Sequence, residues 1–396
     1  MSRIQVVGAG ECGLPLALRL QANGIPVRLV TDRDAAAVLA GAVTSTQVKF
    51  APTLAIESHA GLGFWHGIAP RIDGIRFNLV VDRVVLSGWA GRFSAPAQSV
   101  DQRTVFARWL TEFAAADGDL EIAELSVPQL DRRTSGYDLT VVTRASRELA
   151  AHFPIDPKWT MPTDPLRRLS VLYLDEVEPA DDGFGTYTAL PGLGEIISYP
   201  GLTGPPGQER RCEILLFEGL PGGALDIFTD TGPTDRLLLA RDLLRRYLPA
   251  AVADRYRNAE LTDGGATLVG AVLPAMREPV AELPSGALVL GGGDVVCRMD
   301  PGGAQGANSA AFCADRYSAA ILDSPARFDR AWMSAAAQPW LSAVAHPAAR
   351  WTMAVLDPPP PVQELMLAAQ NDTGLADAFA ETFTRPADMA DFAAAR

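Results

Sequence analysis

Cysteine is scarce in this chain. Its four residues, Cys12, Cys212, Cys297 and Cys313, form neither a C-x-x-C pair nor the closely spaced framework of a small secreted domain. The spacing predicts free thiols in a reducing compartment, not a disulfide scaffold. Histidine is equally rare: His59, His66, His152 and His346 show no H-x-x-x-H or Cys/His ligand spacing, so no metal centre is expected. Positive charge is in deficit as well. With 34 Lys and Arg against 47 Asp and Glu, the formal net charge of -13 excludes the clustered cations that a nucleic-acid groove or an anionic membrane face requires. No apolar run reaches membrane length. The first strand starts at Arg3 or Ile4, too early for a charged segment followed by an apolar one, and a cytoplasmic protein is expected.

What is present begins with size. A chain of 396 residues, 48% apolar and 20% charged, can bury a large core as two domains or one elaborate one. The opening IQVVGAGECGLPLALRL runs from an apolar strand (Ile4 to Val7) through Gly8, Gly10 and Gly13 into a helix from about Leu14 to Ala22. In that spacing the first glycine permits a tight turn, the second lets backbone approach a pyrophosphate, and the third lets helix and strand close together. Asn23-Gly24 stops the helix, a second strand follows at Val27 to Val30, and Asp32 stands just after it as a ribose contact or a solvated loop acid. A second strand-loop-helix layout lies far along the chain, in GGGDVVCRMDPGGAQGANSAAF from Gly291 to Phe312. There Asp294 follows three glycines, where a carboxylate can accept hydrogen bonds from a polyol chain or cap a helix. Asp300-Pro301 then leads through Gly302, Gly303, Ala304, Gln305 and Gly306 into a helix near Ala307-Asn308. Backbone N–H groups at that helix start favour an anionic ring edge. Two such turns point to one large dinucleotide, FAD.

Between them, SVDQRTVFARWLTEFAA (Ser99 to Ala115) reads as an amphipathic helix with Asp101 near its start, and YDLTVVTRA (Tyr137 to Ala145) as a buried parallel strand. Residues 41–96 read as short apolar runs and turns. SVLYLDEV, GEIISYP, RCEILLFEGL and ALDIF read as strands of a meandering antiparallel sheet, with Asp181-Asp182 in a solvated turn. The expected division is a cofactor domain over 1–165 with a substrate-side excursion at about 43–98, a substrate-binding β domain over 166–272, a return to the cofactor domain over 273–330, and a helical region over 331–396.

The opening VVGAGECGLPLALRL with VTDR, the SVDQR element, YDLTVV, LPGLGEIISYPGLT, VLPAMR (Val272 to Arg277), the GGGDVVCRMDPGGAQGAN core and the late RWT together resemble the oxygenase component of styrene and indole monooxygenases, in order over nearly the whole chain. The resemblance implies an α/β fold of the para-hydroxybenzoate hydroxylase type, with a Rossmann-like FAD domain. It also implies FAD reduced by a separate NADH-dependent flavin reductase, a flavin 4a-hydroperoxide, and transfer of one oxygen atom from O2 to an alkene or indole ring. It places Gly8, Gly10, Gly13, Asp32, Arg103, Asp294, Gln305, Gly306, Ala307 and Asn308 around FAD. Pro301, with its carbonyl near the reacting edge, and Asn308 are the implied catalytic positions. Ala304 stands where the family loop usually has glycine, and Arg144-Ala145 replaces a Thr-Gly. The family's pocket positions fall at Thr46, Phe64, His66 or Gly67, and Ala97, and with Val48 these form the expected pocket wall. RWT at Trp351 is expected to wall the flavin cavity. That altered pocket also admits a tailoring hydroxylase or heteroatom oxygenase acting on a larger metabolite, or a flavin-binding protein without oxygenase activity. A homodimer is left open.

Overall fold

The computed structural model describes residues 2–180, 183–324 and 327–389. Asp181-Asp182 and the end of the helical region, 390–396, lie outside them. The apolar runs IQVV, VRLVT and LTVV form the centre of a six-stranded sheet. Its strand order is Val280–Glu282, Leu288–Gly291, Leu139–Val142, Ile4–Val7, Val27–Thr31 and Asp119–Ile122. All neighbours are parallel except the edge hairpin Val280–Glu282 with Leu288–Gly291. Ile4, Val6, Val141 and Val142 are fully buried, as continuous apolar strands must be when both faces are covered. Helices Gly13–Ala22, Gln102–Ala115 and Gly306–Leu322 supply that cover. The second begins two to three residues later than the sequence pattern. Asp101 is its N-cap, accepting from the Arg103 backbone N–H at 2.8 Å, a cap contributing about 1 kcal/mol.

The second sheet has eight strands. Arg168–Asp175, Arg210–Gly219, Gly194–Thr203 and Phe184–Leu190 run antiparallel in that spatial order. Phe184–Leu190 then pairs in parallel with Arg71–Val81, which forms a long antiparallel ribbon with Val84–Gln98. This ribbon replaces the short runs and turns expected over 41–96. Its interior glycines mark close approaches: a Cβ on Gly91 would enter the Ala376 carbonyl of helix Thr373–Thr384, which lies across the ribbon. ALDIF is not a strand but an irregular stretch after Gly222-Gly223, and helix Pro233–Tyr247 covers the outer face of the sheet. The C-terminal helices include a π-turn, Leu341–Ala345, lying between Pro339 and Pro347. A ring lacking the N–H of a regular turn accounts for such a bulge. Among the described residues no helix is long and apolar enough to cross a membrane. The four cysteines are buried and free.

Candidate active site

The first glycine turn is built for close approach. Gly8 has φ +112°, and a Cβ there would sit 2.6 Å from that of Arg144. A Cβ on Gly13 would overlap the Gly8 carbonyl and stand 2.6 Å from the Thr143 hydroxyl. Gly10 differs, because a Cβ there meets nothing within 4 Å. It opens onto a cavity of about 520 Å³ whose walls also carry Asp32, Asp294, Pro301, Gln305, Gly306 and Ala307. The two glycine turns, almost 300 residues apart in sequence, thus face one space.

Across the cavity, helix Gly306–Leu322 begins with no side-chain cap, which leaves its first backbone N–H groups for a ligand. Gln305 is held by its own amide, which donates to the carbonyls of Gly303 and Phe383 at 2.9 Å each. Asp294 opens into the cavity, and surrounding protein raises its carboxyl above the usual range while Arg298 draws it back. Asp32 is ion-paired with Arg144 on the cavity wall. Glu11, inside the glycine turn, is pushed up to about 8 by burial and the like charge of Glu57, against the pull of Lys49 at 2.7 Å.

Some expected residues lie elsewhere. Arg103 points away into a buried ion-pair network, 2.7 Å from Asp101 and 2.8 Å from Asp263. Burial pulls its pKa down, and the two carboxylates more than offset that and raise it; its neighbour Gln102 lines the cavity instead. The Asn308 side chain is saturated. Its oxygen accepts from the Phe50 backbone N–H and the Thr53 hydroxyl, and its amide donates to the carbonyls of Val48 and Ala304. It ties the helix start to the segment that enters helix Ala51–His59. Trp351 lies in the core against Phe379 and Phe383 and lines neither cavity; its neighbour Thr352 abuts Gly303.

A second cavity of about 60 Å³ adjoins the first. The two share Thr46, Gln47, Pro301 and Ala304. The smaller one is walled mainly by Val48, Phe50, Ile72, Ile75, Phe93, Tyr187, Ile197, Leu216 and Phe383. Its polar atoms are largely spoken for: the Thr46 and Tyr199 hydroxyls bond each other. Phe64, His66 and Ala97 line neither cavity. Phe64 packs on Trp65 beneath Arg108, His66 meets the Ser58 hydroxyl at 2.8 Å, and Ala97 is sealed in the sheet core. Thr46 and Val48 are the expected wall residues that the cavity contains. Tyr187, Phe93 and Phe383 carried no sequence signal beyond being apolar or aromatic. Among the described residues no group of three or more His, Cys, Asp or Glu could hold a metal ion.

Residues 146–255 match the family model described as "Styrene monooxygenase A putative substrate binding domain". A styrene monooxygenase, StyA, of Pseudomonas fluorescens is 28% identical over 319 residues, 79% of this chain and 75% of that protein. The chain is styrene monooxygenase-like. It is a flavoprotein monooxygenase. Solved structures establish the fold independently. The flavin-dependent brominase Bmp2 superposes with a TM-score of 0.64 at 12% identity, over 98% of this chain and 97% of that one. The oxygenase of 2-methyl-3-hydroxypyridine-5-carboxylic acid superposes with a TM-score of 0.59 at 16% identity, over 100% and 98%. The architecture is that of the para-hydroxybenzoate hydroxylase type: a parallel cofactor sheet, a second sheet, and C-terminal helices.

Proposed function

We propose that this monooxygenase uses FAD reduced by a separate NADH-dependent flavin reductase, together with O2, to place one oxygen atom on an apolar aromatic alkene or indole-like substrate, by epoxidation of the former. The observation that carries this reading is the shared wall of the two cavities, where Pro301, Ala304 and Thr46 separate a long, partly polar space from a small apolar one. The residues present fit FAD. Gly10 leaves open space where a pyrophosphate would pass, the uncapped helix start at Gly306 offers N–H donors, and Asp294 offers acceptor oxygens to a ribityl chain.

When bound and reduced, the flavin supplies the activation of dioxygen; the chain supplies binding, orientation and exclusion of water. Asp32 would accept from the adenosine ribose once Arg144 gives way. The dipole of helix Gly306–Leu322 favours an anionic ring edge by about 0.3–1 kcal/mol, and up to about 2 kcal/mol where it is partly buried. Phe50, Phe93, Ile75 and Phe383 keep the small cavity dry and orient substrate by shape. With the Thr46 and Tyr199 hydroxyls paired to each other and the rest of the wall mainly apolar, such a cavity discriminates by only about 1–3 kcal/mol per methylene. Broad acceptance of apolar aromatics follows. Similarity to StyA and the single glycine fingerprint support a reductase delivering reduced flavin from outside. The test is a panel of vinylarenes, indoles and sulfides supplied with a generic flavin reductase, NADH, FAD and oxygen. Oxygenated vinylarenes are expected, and their absence from an enzyme that binds FAD would overturn the reading.

A further inference from the structure

Beneath the wall between the cavities lies a group of acids to which the reaction assigns no part. Glu218, near the end of strand Arg210–Gly219, is 0% exposed, and neither of its carboxyl oxygens has a hydrogen-bond donor. Its carboxyl abuts Gly302 so closely that no Cβ fits there. Asp300 is 1% exposed; one of its oxygens caps the Gly302 N–H at 3.1 Å, and the other is buried without a donor. The nearby cation does not serve them. Arg167 is committed to Glu195 through two hydrogen bonds of 2.6 and 2.8 Å and to the Leu356 carbonyl at 2.8 Å. The Tyr187 hydroxyl, on the pocket side, is buried and kept neutral.

Two acceptors face each other in a dry site, and one proton converts that clash into a hydrogen bond. We propose that Glu218 and Asp300 share one proton, and that this bond is a positioning element fixing the turn Pro301–Gly303 between cofactor and substrate cavities. Burial raises both carboxyls: Asp300 to about 6, against the Gly302 N–H and the Glu218 hydrogen bond that lower it, and Glu218, with the added repulsion of Asp300 and Glu195, well above its usual range. The charged groups facing them are Glu195 and Arg167, which offset one another. The native state then holds a proton that the unfolded chain releases above the ordinary glutamate range. Stability is therefore full in acid and falls as pH rises through the native titration. Loss of the last proton sets two like charges under Gly302 and loosens the turn.

The flavin part of the test rests on the proposed FAD site; the infrared part does not. In the infrared spectrum at neutral pH, wild type is expected to show, beside the band of the protonated Glu11 carboxyl, a second protonated carboxyl band that is absent from Glu218→Gln. Titrating oxidised FAD by fluorescence quenching, wild-type affinity is expected to decline with rising pH, by at most about tenfold per pH unit for one coupled proton. Glu218→Gln, or Asp300→Asn should the first fail to fold, replaces the shared proton with an amide donor and is expected to flatten that profile. Glu218→Ala should weaken FAD at every pH. A wild type without the second carboxyl band, or conservative variants with the wild-type pH profile, would overturn the proposal. If FAD fails to bind at any pH while the second band is present, the cofactor assignment fails and the shared proton stands.

Discussion

Gly10 and Gly13 belong to one fingerprint, yet the structure separates their roles. Replacing Gly10 by Ala adds a methyl group to open space in the large cavity, with no protein atom within 4 Å. Its φ lies outside the left-handed region, so folding should be unharmed or gain about 0.4–1 kcal/mol from the smaller entropy of the unfolded chain. If a pyrophosphate passes there, the methyl overpacks the complex by about 1–3 kcal/mol. At about 1.4 kcal/mol per factor of ten, FAD affinity falls roughly 5- to 150-fold. Gly13→Ala should do the reverse, because its Cβ overlaps backbone at Gly8 and must part the helix from the strand. The assay pairs chemical denaturation with FAD titration on both variants. A Gly10→Ala protein that keeps wild-type FAD affinity would refute the placement of the pyrophosphate, whatever its stability.

Asp294→Ala should leave the melting temperature near wild type and weaken FAD by roughly 1.5–3 kcal/mol, the worth of a hydrogen bond to a charged group, as read by flavin titration. Arg103→Ala breaks a buried pair and should cost about 3–5 kcal/mol of folding stability in denaturant, with FAD affinity of the folded protein little changed; the opposite pattern would put Arg103 at the cofactor. Ile75→Trp should fill the small cavity and suppress turnover of vinylarenes, whereas Phe64→Ala should leave product ratios across the panel unchanged; equal effects from both would relocate the pocket.

Both glycine turns were legible because their signal is local: strand, glycine spacing and helix lie within about twenty residues. The ribbon over residues 71–98 was not. Gly74, Gly88 and Gly91 read as breaks in a strand pattern, but Gly74 and Gly91 are there because another chain segment presses on them: Gly74 lies against Phe184 and Gly91 against Ala376. The small cavity was legible only at Thr46 and Val48. Its other walls come from strands of the second sheet and from Phe383 of the last helix, and no local spacing reports such a meeting. Glu218 was hidden for a related reason, since an acid near the end of an apolar strand carries no local sign of burial, whereas in the fold it lies between two paired strands with the turn at Pro301–Gly303 against it. Ala304 is the instructive departure. It holds φ +54°, the left-handed conformation that suits glycine, so the structure shows why a glycine is usual there and that alanine accepts the strain.

The central claim is that oxygen from O2 reaches an apolar aromatic alkene by way of FAD reduced outside this chain. It is tested most directly by supplying isotopically heavy dioxygen, with a vinylarene, FAD, NADH and a separate flavin reductase, and reading the product by mass spectrometry. One heavy oxygen atom per product molecule is expected, and none when the reductase is omitted. Product carrying oxygen from water, or equal product with NADH and no reductase, would contradict it.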